Sequence, residues 1–326
     1  MQVHRDINHL PPFKNAVMTI GTFDGVHLGH LQIIHQLKKE AAAAGGESVI
    51  ITFDPHPRMV LQTGSQPSHP IKLLTTLDEK IMLLERHGVD HLVVVPFTLE
   101  FAFQAAEEYI RNFLVNQFHP YLVIIGYDHR FGKDRAGNYR LLETYGAQLG
   151  YRVQEIPEHV LHHVVISSTN IRKALREHDM QTANDCLGYS YFFEGTVTGG
   201  DRIGRTLGYP TANLVVRGAD KLIPADGIYA VRVAGLSGPG PLPRTDRAGD
   251  ATLPGMMSIG VRPTVGGTSR VIEVNIFDFD REIYGETLQV FVEHYLRPEI
   301  RFDTLEQLRQ QIGQDKIDTL EWFGRQ

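Results

Sequence analysis

Four apolar runs, at residues 17–20, 49–53, 92–95 and 122–125, are free of charge and separated by segments with helical spacing. Continuous runs of this kind mark strands buried on both faces, as in a parallel sheet. Residues 76–87 and 104–116 read as helices, and Leu31, Ile34, Leu37 and Ala41 form one apolar face of a helix after the first run. Strand–helix repetition from residue 16 to about 185 therefore predicts a doubly wound α/β fold. Each strand runs into a loop of unusual composition, at 21–30, 54–58, 96–103 and 126–137. Open α/β sheets bind ligands beyond the carboxyl ends of their strands, which is where these loops fall.

The pattern changes after about residue 190. Short alternating segments at 192–197, 227–233, 271–277 and 288–292 are divided by Gly, Pro and Asp turns, which predicts a small antiparallel β-barrel. A closing amphipathic stretch, 304–323, reads as a terminal helix capped by Asp303 or Thr304, with Leu305, Leu308, Ile312, Leu320 and Phe323 as its core contacts. Residues 236–254 are rich in Gly and Pro, lack periodicity and read as a mobile insertion between strands. There is no internal repeat. The expected division is a first domain over 1–185 and a second over 186–326.

The 326 residues suffice for two domains with separate cores. A net charge of -6 gives no basic footprint for nucleic acid. The single cysteine, Cys186, leaves no intramolecular disulfide framework and fits a reducing cytoplasm. No apolar run reaches membrane-spanning length, and the N-terminus has no signal-peptide core, so a soluble cytoplasmic chain is expected, with its oligomeric state (a homo-oligomer included) left open.

The densest chemistry lies at Gly21-Thr22-Phe23-Asp24-Gly25-Val26-His27-Leu28-Gly29-His30. A strand, a Gly-rich turn and a helix bring His27 and His30 to a helix N-terminus, where N–H groups and the dipole favour anions. Two histidines at a helix start ordinarily just meet solvent, but the preceding strand and the flanking Gly25 and Gly29 favour a nucleotide site. Asp54, His56 and Pro57 follow the next strand. Gly126-Tyr127-Asp128-His129-Arg130-Phe131-Gly132 follows another. Ser167, Ser168 and Thr169 sit where helix caps are expected, with Arg172 one turn on; capping is their usual role, and a triphosphate would engage them as donors.

Together, GTFDGVHLGH, TFDPHPRMVL, LTTLDEK, PFTLEFA, GYDHRFG and ISSTNIRKAL resemble, in order and spacing, the N-terminal module of bacterial bifunctional riboflavin kinase/FAD synthetases over roughly residues 15–185. The resemblance implies transfer of AMP from ATP to the FMN phosphate, with pyrophosphate leaving. It implies His27 and His30 as catalytic groups. Gly21, Phe23, Asp24, Gly29, Ser167, Ser168, Thr169 and Arg172 would bind ATP, and Asp54, His56, Pro57, Asp128 and Phe131 the flavin. His129 stands where the family usually has Phe, which alters a flavin-side position.

In the second half, Gly199-Gly200-Asp201-Arg202-Ile203-Gly204-Arg205-Thr206 nearly matches a P-loop. Arg205 replaces the lysine, and Leu207-Gly208-Tyr209-Pro210 cannot open the long helix that motif requires. The Pro210-Thr211-Ala212-Asn213 that follows resembles the riboflavin kinase signature, although four such residues alone also fit a turn. Alternation in Val271-Ile272-Glu273-Val274-Asn275 puts Glu273 and Asn275 on the face opposite the apolar row. An isolated strand Glu is usually solvated. The family resemblance makes Glu273 the base for the ribityl hydroxyl, Thr211 and Asn213 the groups on Mg²⁺–ATP, Gly200, Gly204 and Arg205 ATP contacts, and Arg297 a flavin contact. ATP is the implied co-substrate, riboflavin and FMN the other small-molecule partners, and FMN and FAD the products. His159, His162 and His163 lack Cys or acidic neighbours at ligand spacing and are not read as a metal cluster.

Overall fold

The four unbroken apolar runs form β2 (Val17–Ile20), β3 (Ser48–Asp54), β4 (His91–Pro96) and β5 (Leu122–Gly126), whose interior positions are buried apart from the partly buried Phe53. Two further strands, β1 (Gln2–His4) and β6 (Arg152–Ile156), were not predicted. Their composition is mixed because each lies at a sheet edge and is little covered: β1 buries no residue and β6 only Ile156. The computed structural model describes residues 1–61, 71–127, 129–156, 166–200, 203–235, 244–245, 251–264 and 267–324, which divide into two compact units, Met1–Ser168 and Thr169–Gln326. His159, His162, His163 and Asp128 lie outside the described residues.

In the first unit all six strands are parallel, in the order β1-β4-β3-β2-β5-β6. The chain lays β3 and β4 on one side of β2, then returns to place β5 on the other. That reversal sets the loops after β2 and β5 side by side, at the switch point where open sheets hold ligands. The helix after β2, α1 (Leu28–Ala43), buries Gly29, Ile34, Leu37 and Ala41, nearly the predicted stripe. A second helix, α2 (Pro57–Leu61), begins on Pro57, whose missing N–H costs nothing in a first turn. The next, α3 (Leu77–Arg86), starts on a full capping box between Thr76 and Glu79. Residues 106–118 form one helical run whose middle, Tyr109–Val115, is π-helical. It buries Tyr109, Ile110, Phe113, Leu114 and Phe118 in the core.

The second unit begins at Thr169, one residue into the helix Ser168–Arg176, and continues with the helix Met180–Leu187. Seven strands follow: β7 (Tyr191–Thr198), β8 (Ala212–Val216), β9 (Gly227–Ala234), β10 (Arg244–Thr245), β11 (Ala251–Thr264), β12 (Gly267–Ile276) and β13 (Thr287–Arg297). The order β11-β12-β8-β7-β13-β9 returns to β11 by antiparallel pairing, so six strands close a barrel, and β10 pairs only with β11. Closure removes the sheet edges, as predicted for this half. The Gly/Pro insertion needs correction at its end: residues 251–254 belong to β11, and Leu253 is buried opposite Val233. Its larger part, 236–243 and 246–250, is outside the described residues.

The terminal helix runs Leu305–Gly324 and is capped by Thr304, whose hydroxyl accepts from Gln307 N at 3.2 Å. Its expected apolar seam is only partly right. Leu305 and Leu320 are 62% and 44% exposed, whereas Asp315 and Thr319 are buried. The helix docks through a polar tie, because Arg297 donates from Nε and Nη2 to the two Asp315 oxygens at 2.7 and 2.6 Å.

Candidate active sites

Between β2 and α1 the chain turns through three residues with positive φ, Phe23 (47°), Gly25 (86°) and Val26 (37°). Glycine adopts this conformation freely, but for a β-branched valine it is strained. A hydrogen-bond network holds it. Asp24, buried in the turn, accepts through Oδ1 from Leu74 N at 2.9 Å and Thr75 N at 3.1 Å, and Gly25 N donates to Thr75 Oγ1 at 3.1 Å. Ser168 Oγ donates to the Asp24 carbonyl at 3.0 Å. Backbone strain over-determined in this way is typical of sites where geometry matters.

The turn delivers two stacked imidazoles. His27 is the N-cap of α1, its Nδ1 accepting from His30 N at 3.3 Å, which leaves Nε2 as the ring's N–H donor when it is neutral. The His27 and His30 centroids are 3.7 Å apart with planes 13° from parallel, and Phe23 closes on His30 at 4.9 Å. A Cβ on Gly29 would meet the His27 ring at 3.2 Å, and one on Gly21 would meet the Phe23 ring at the same distance. His30 Nδ1 is buried without a hydrogen-bond partner among the described residues. Burial, then His27, then Lys80 hold the His30 pKa well below the ordinary histidine value.

Lys80 is the residue that motif reading passed over. It lies on α3, only 6% exposed, and donates from Nζ to Thr52 Oγ1 at 3.3 Å. Burial lowers its pKa, while Asp24 and Asp54 oppose that shift. The clue in the sequence was a lysine directly after the helix-capping acid Glu79, at the fourth helical position, which often packs inward against the residue before the cap.

The other expected residues of the first unit divide by environment. Asp54 is exposed at the end of β3, and His56 Nδ1 accepts from Arg58 N at 3.1 Å as Pro57 starts α2. Phe131 is buried in the core against Tyr109, at 4.9 Å, and its ring occupies the space that a Cβ on Gly137 would need. It anchors its loop from beneath, with the half-buried His129 ring 5.9 Å away. Ser167 and Ser168 end the first unit; Thr169 and the buried Arg172 begin the second.

In the barrel, strand register builds the second constellation. Asn213 faces Glu273 across β8 and β12, Ser258 of β11 faces Glu273 from the other side, and Thr198 of β7 faces Asn213. Residues directly opposite in a sheet share a face, so Thr198, Asn213, Glu273 and Ser258 form one polar row. Asn275, two positions along the same face, donates from Nδ2 to the Pro210 carbonyl at 2.6 Å and so fixes the entry to β8. Gly200 has no room for a Cβ because the Asn213 amide fills it, and Gly204 is closed off by the Tyr209 carbonyl and Thr211. These glycines pack the turn against the row. Thr211 and Arg205 line a pocket with Val197, Val274, Ile276 and Tyr284, on the face opposite Glu273. Arg205 also meets Glu282 at 3.7 Å, an exposed pair of little energetic weight. Arg297, expected at the flavin, has its guanidinium committed to Asp315.

The fold and sites define a two-part protein: a nucleotidylyltransferase-type parallel sheet with a histidine turn at its switch point, followed by a closed antiparallel barrel with an acid–amide row. The FAD synthetase family model matches residues 11–170 and the riboflavin kinase model residues 187–323. The chain is 35% identical over 326 residues to the bifunctional riboflavin kinase/FMN adenylyltransferase of Escherichia coli K12, covering 99% of this chain and 98% of that one. It is 39% identical to the protein of the same description from Listeria monocytogenes, over 95% and 93% of the two chains. Among solved structures, one described as a macrolide-efflux protein from Streptococcus pneumoniae superposes with a TM-score of 0.83 at 29% identity, covering 98% of this chain and 99% of that one. This chain belongs to the bifunctional riboflavin kinase/FMN adenylyltransferase family.

Proposed function

We propose that the barrel phosphorylates riboflavin to FMN and that the parallel-sheet unit adenylylates FMN to FAD, each step consuming ATP. The observation that carries this reading is the tiling of the chain by two family matches in order, each enclosing its own polar constellation. We place the working boundary near residue 185, so that the helices over 168–187 join the two catalytic parts.

At the first site the nucleophile is a phosphate oxygen of FMN, already anionic, so no side chain has to remove a proton. It attacks the α-phosphorus of ATP, and the bond to the β-phosphate breaks to release pyrophosphate. The chain's task is alignment and neutralisation of charge. The His27 Nε2–H, the His30 ring and the N-terminus of α1 supply fixed donors, and Ser167 and Ser168 add hydroxyls near the phosphates. Asp54, His56, Pro57 and the loop bearing Asp128 lie on the flavin side.

At the second site the ribityl hydroxyl of riboflavin is a poor nucleophile and gains from a positioned base. Glu273 accepts its proton as the oxygen attacks the γ-phosphorus, and ADP leaves. Thr211 and Asn213 offer neutral oxygens. Among the described residues no group of three or more His, Cys, Asp or Glu is arranged to hold a metal. That donor set fits Mg²⁺ brought in on the phosphates of ATP, where it would offset their charge, rather than a resident ion.

Chromatography of flavins after incubation with riboflavin, ATP and Mg²⁺ tests the reading, with FMN appearing first and FAD following. Flavin retained without turnover would instead favour a flavin-binding protein with inactive sites. Adenylylation of an acceptor other than FMN would favour a pantetheine-phosphate-type transferase.

A further inference from the structure

Two buried polar groups at the end of the parallel sheet are incompletely satisfied. An ammonium has three N–H donors, yet among the described residues Thr52 Oγ1 is the one acceptor that Lys80 Nζ meets. That hydroxyl is itself engaged, since it donates to the Thr22 carbonyl at 3.2 Å. Beside it, His30 Nδ1 is buried with no partner among the described residues. Buried polar atoms left in this state mark either a cost the fold tolerates or a place for a ligand.

The surroundings of Lys80 favour a ligand. The residue is carried by α3, whose start is locked to the histidine turn by the bonds from Leu74 and Thr75 to Asp24. It stands at the carboxyl end of β3, where Thr52 meets it and Asp54 follows. The Asp24 carboxylate offsets the charge of Lys80 but spends Oδ1 on two backbone amides, and Asp54 is exposed to solvent. The ammonium thus shares a buried corner with the imidazole pair, at the positive end of α1, and has donors to spare. An anion with several oxygens is the ligand that chemistry suits.

We propose that Lys80 is a catalytic residue of nucleotidyl transfer, donating to phosphate oxygens of the ATP chain alongside His30 as the α–β bond breaks. The inference rests on the adenylylation reading given above. A bond forms between an FMN phosphate oxygen and the α-phosphorus, and the electron pair of the broken P–O bond leaves with pyrophosphate. Lys80 transfers no proton; it neutralises the charge that accumulates on the leaving group. The competing role is a structural counter-ion for Asp24 and Asp54.

The test uses the full chain, with K80M and K80R compared to wild type and inorganic pyrophosphate as the probe. K80M is expected to slow FAD formation from FMN by about 100-fold, the usual effect of losing one such donor. It should weaken inhibition by pyrophosphate about tenfold, as loss of one charge-assisted contact would. FMN affinity, read by flavin fluorescence, and riboflavin phosphorylation should stay within about twofold, because neither uses this cation. K80R, which keeps the charge, should recover most of the pyrophosphate affinity. Unchanged pyrophosphate inhibition in K80M would overturn the proposal. So would joint loss of FMN and pyrophosphate binding with an earlier melt, which would make Lys80 a structural counter-ion. A wild-type chain unable to convert FMN to FAD would instead remove the adenylylation reading, and this proposal with it.

Discussion

At the scale of single residues, the turn after β2 shows how one side chain serves shape and chemistry together. His27 caps α1 through Nδ1, and that bond leaves Nε2 as the N–H donor of the neutral ring. Gly29 permits this because a Cβ there would press on the His27 ring at 3.2 Å. Gly29→Ala should therefore displace the His27 ring and reduce adenylylation, checked by FAD assay, while the gain in helix propensity offsets the crowding in a thermal melt. Glu273→Gln should cut riboflavin phosphorylation by at least about 100-fold while sparing adenylylation, and His30→Ala should do the reverse, as separate assays of the two reactions would show. His30 also links stability to pH. Its folded pKa lies below the unfolded value of 6.5, so the unfolded chain binds the extra proton between those two values. The stability due to His30 is complete above about pH 6.5 and is lost as pH falls through the folded value. Melting temperatures measured across that range should fall less steeply for His30→Gln than for wild type.

At the scale of elements, the terminal helix departs most from its sequence pattern. Its leucines at 305 and 320 face solvent, and the buried contacts are Asp315 and Thr319, with Thr319 Oγ1 bonded to the Asp315 carbonyl at 2.7 Å. The partner of Asp315 is Arg297, at the end of a different element, so no periodicity within the helix reveals the tie. Removing one partner leaves the other ion buried and unmatched. Asp315→Ala should cost about 3 kcal/mol. Leu320→Gln, a change at an exposed site, should stay within about 0.5 kcal/mol. The protein's single tryptophan reports on this directly, since Trp322 stacks on His294 at 5.3 Å. Its fluorescence should change at lower denaturant in Asp315→Ala and barely move in Leu320→Gln.

At the scale of the whole molecule, two catalytic constellations on one chain make a simple prediction about division of labour. A mixture of Glu273→Gln and His30→Ala chains should convert riboflavin to FAD, with a lag while free FMN accumulates, although neither variant does so alone. Flavin chromatography over time checks this, and failure of the mixture would mean that the two reactions need intact sites on one chain.

The α/β character of the first half, its four central strands, the barrel strands rich in β-branched and aromatic residues, and the histidine turn were all legible in the sequence. Each follows from local periodicity or from glycine spacing, which a linear chain displays. The edge strands β1 and β6 were not legible, because a strand that buries little or nothing needs no apolar run. Nor was the strand character of residues 251–254, which depends on β9 lying opposite. The surroundings of Asp24, Lys80, Phe131 and Arg297 appear only in the tertiary structure. A carboxylate that braces a turn and one that meets a ligand look alike in one dimension. What separates them is the partner brought near by strand order and helix docking, and that partner lies tens of residues away along the chain.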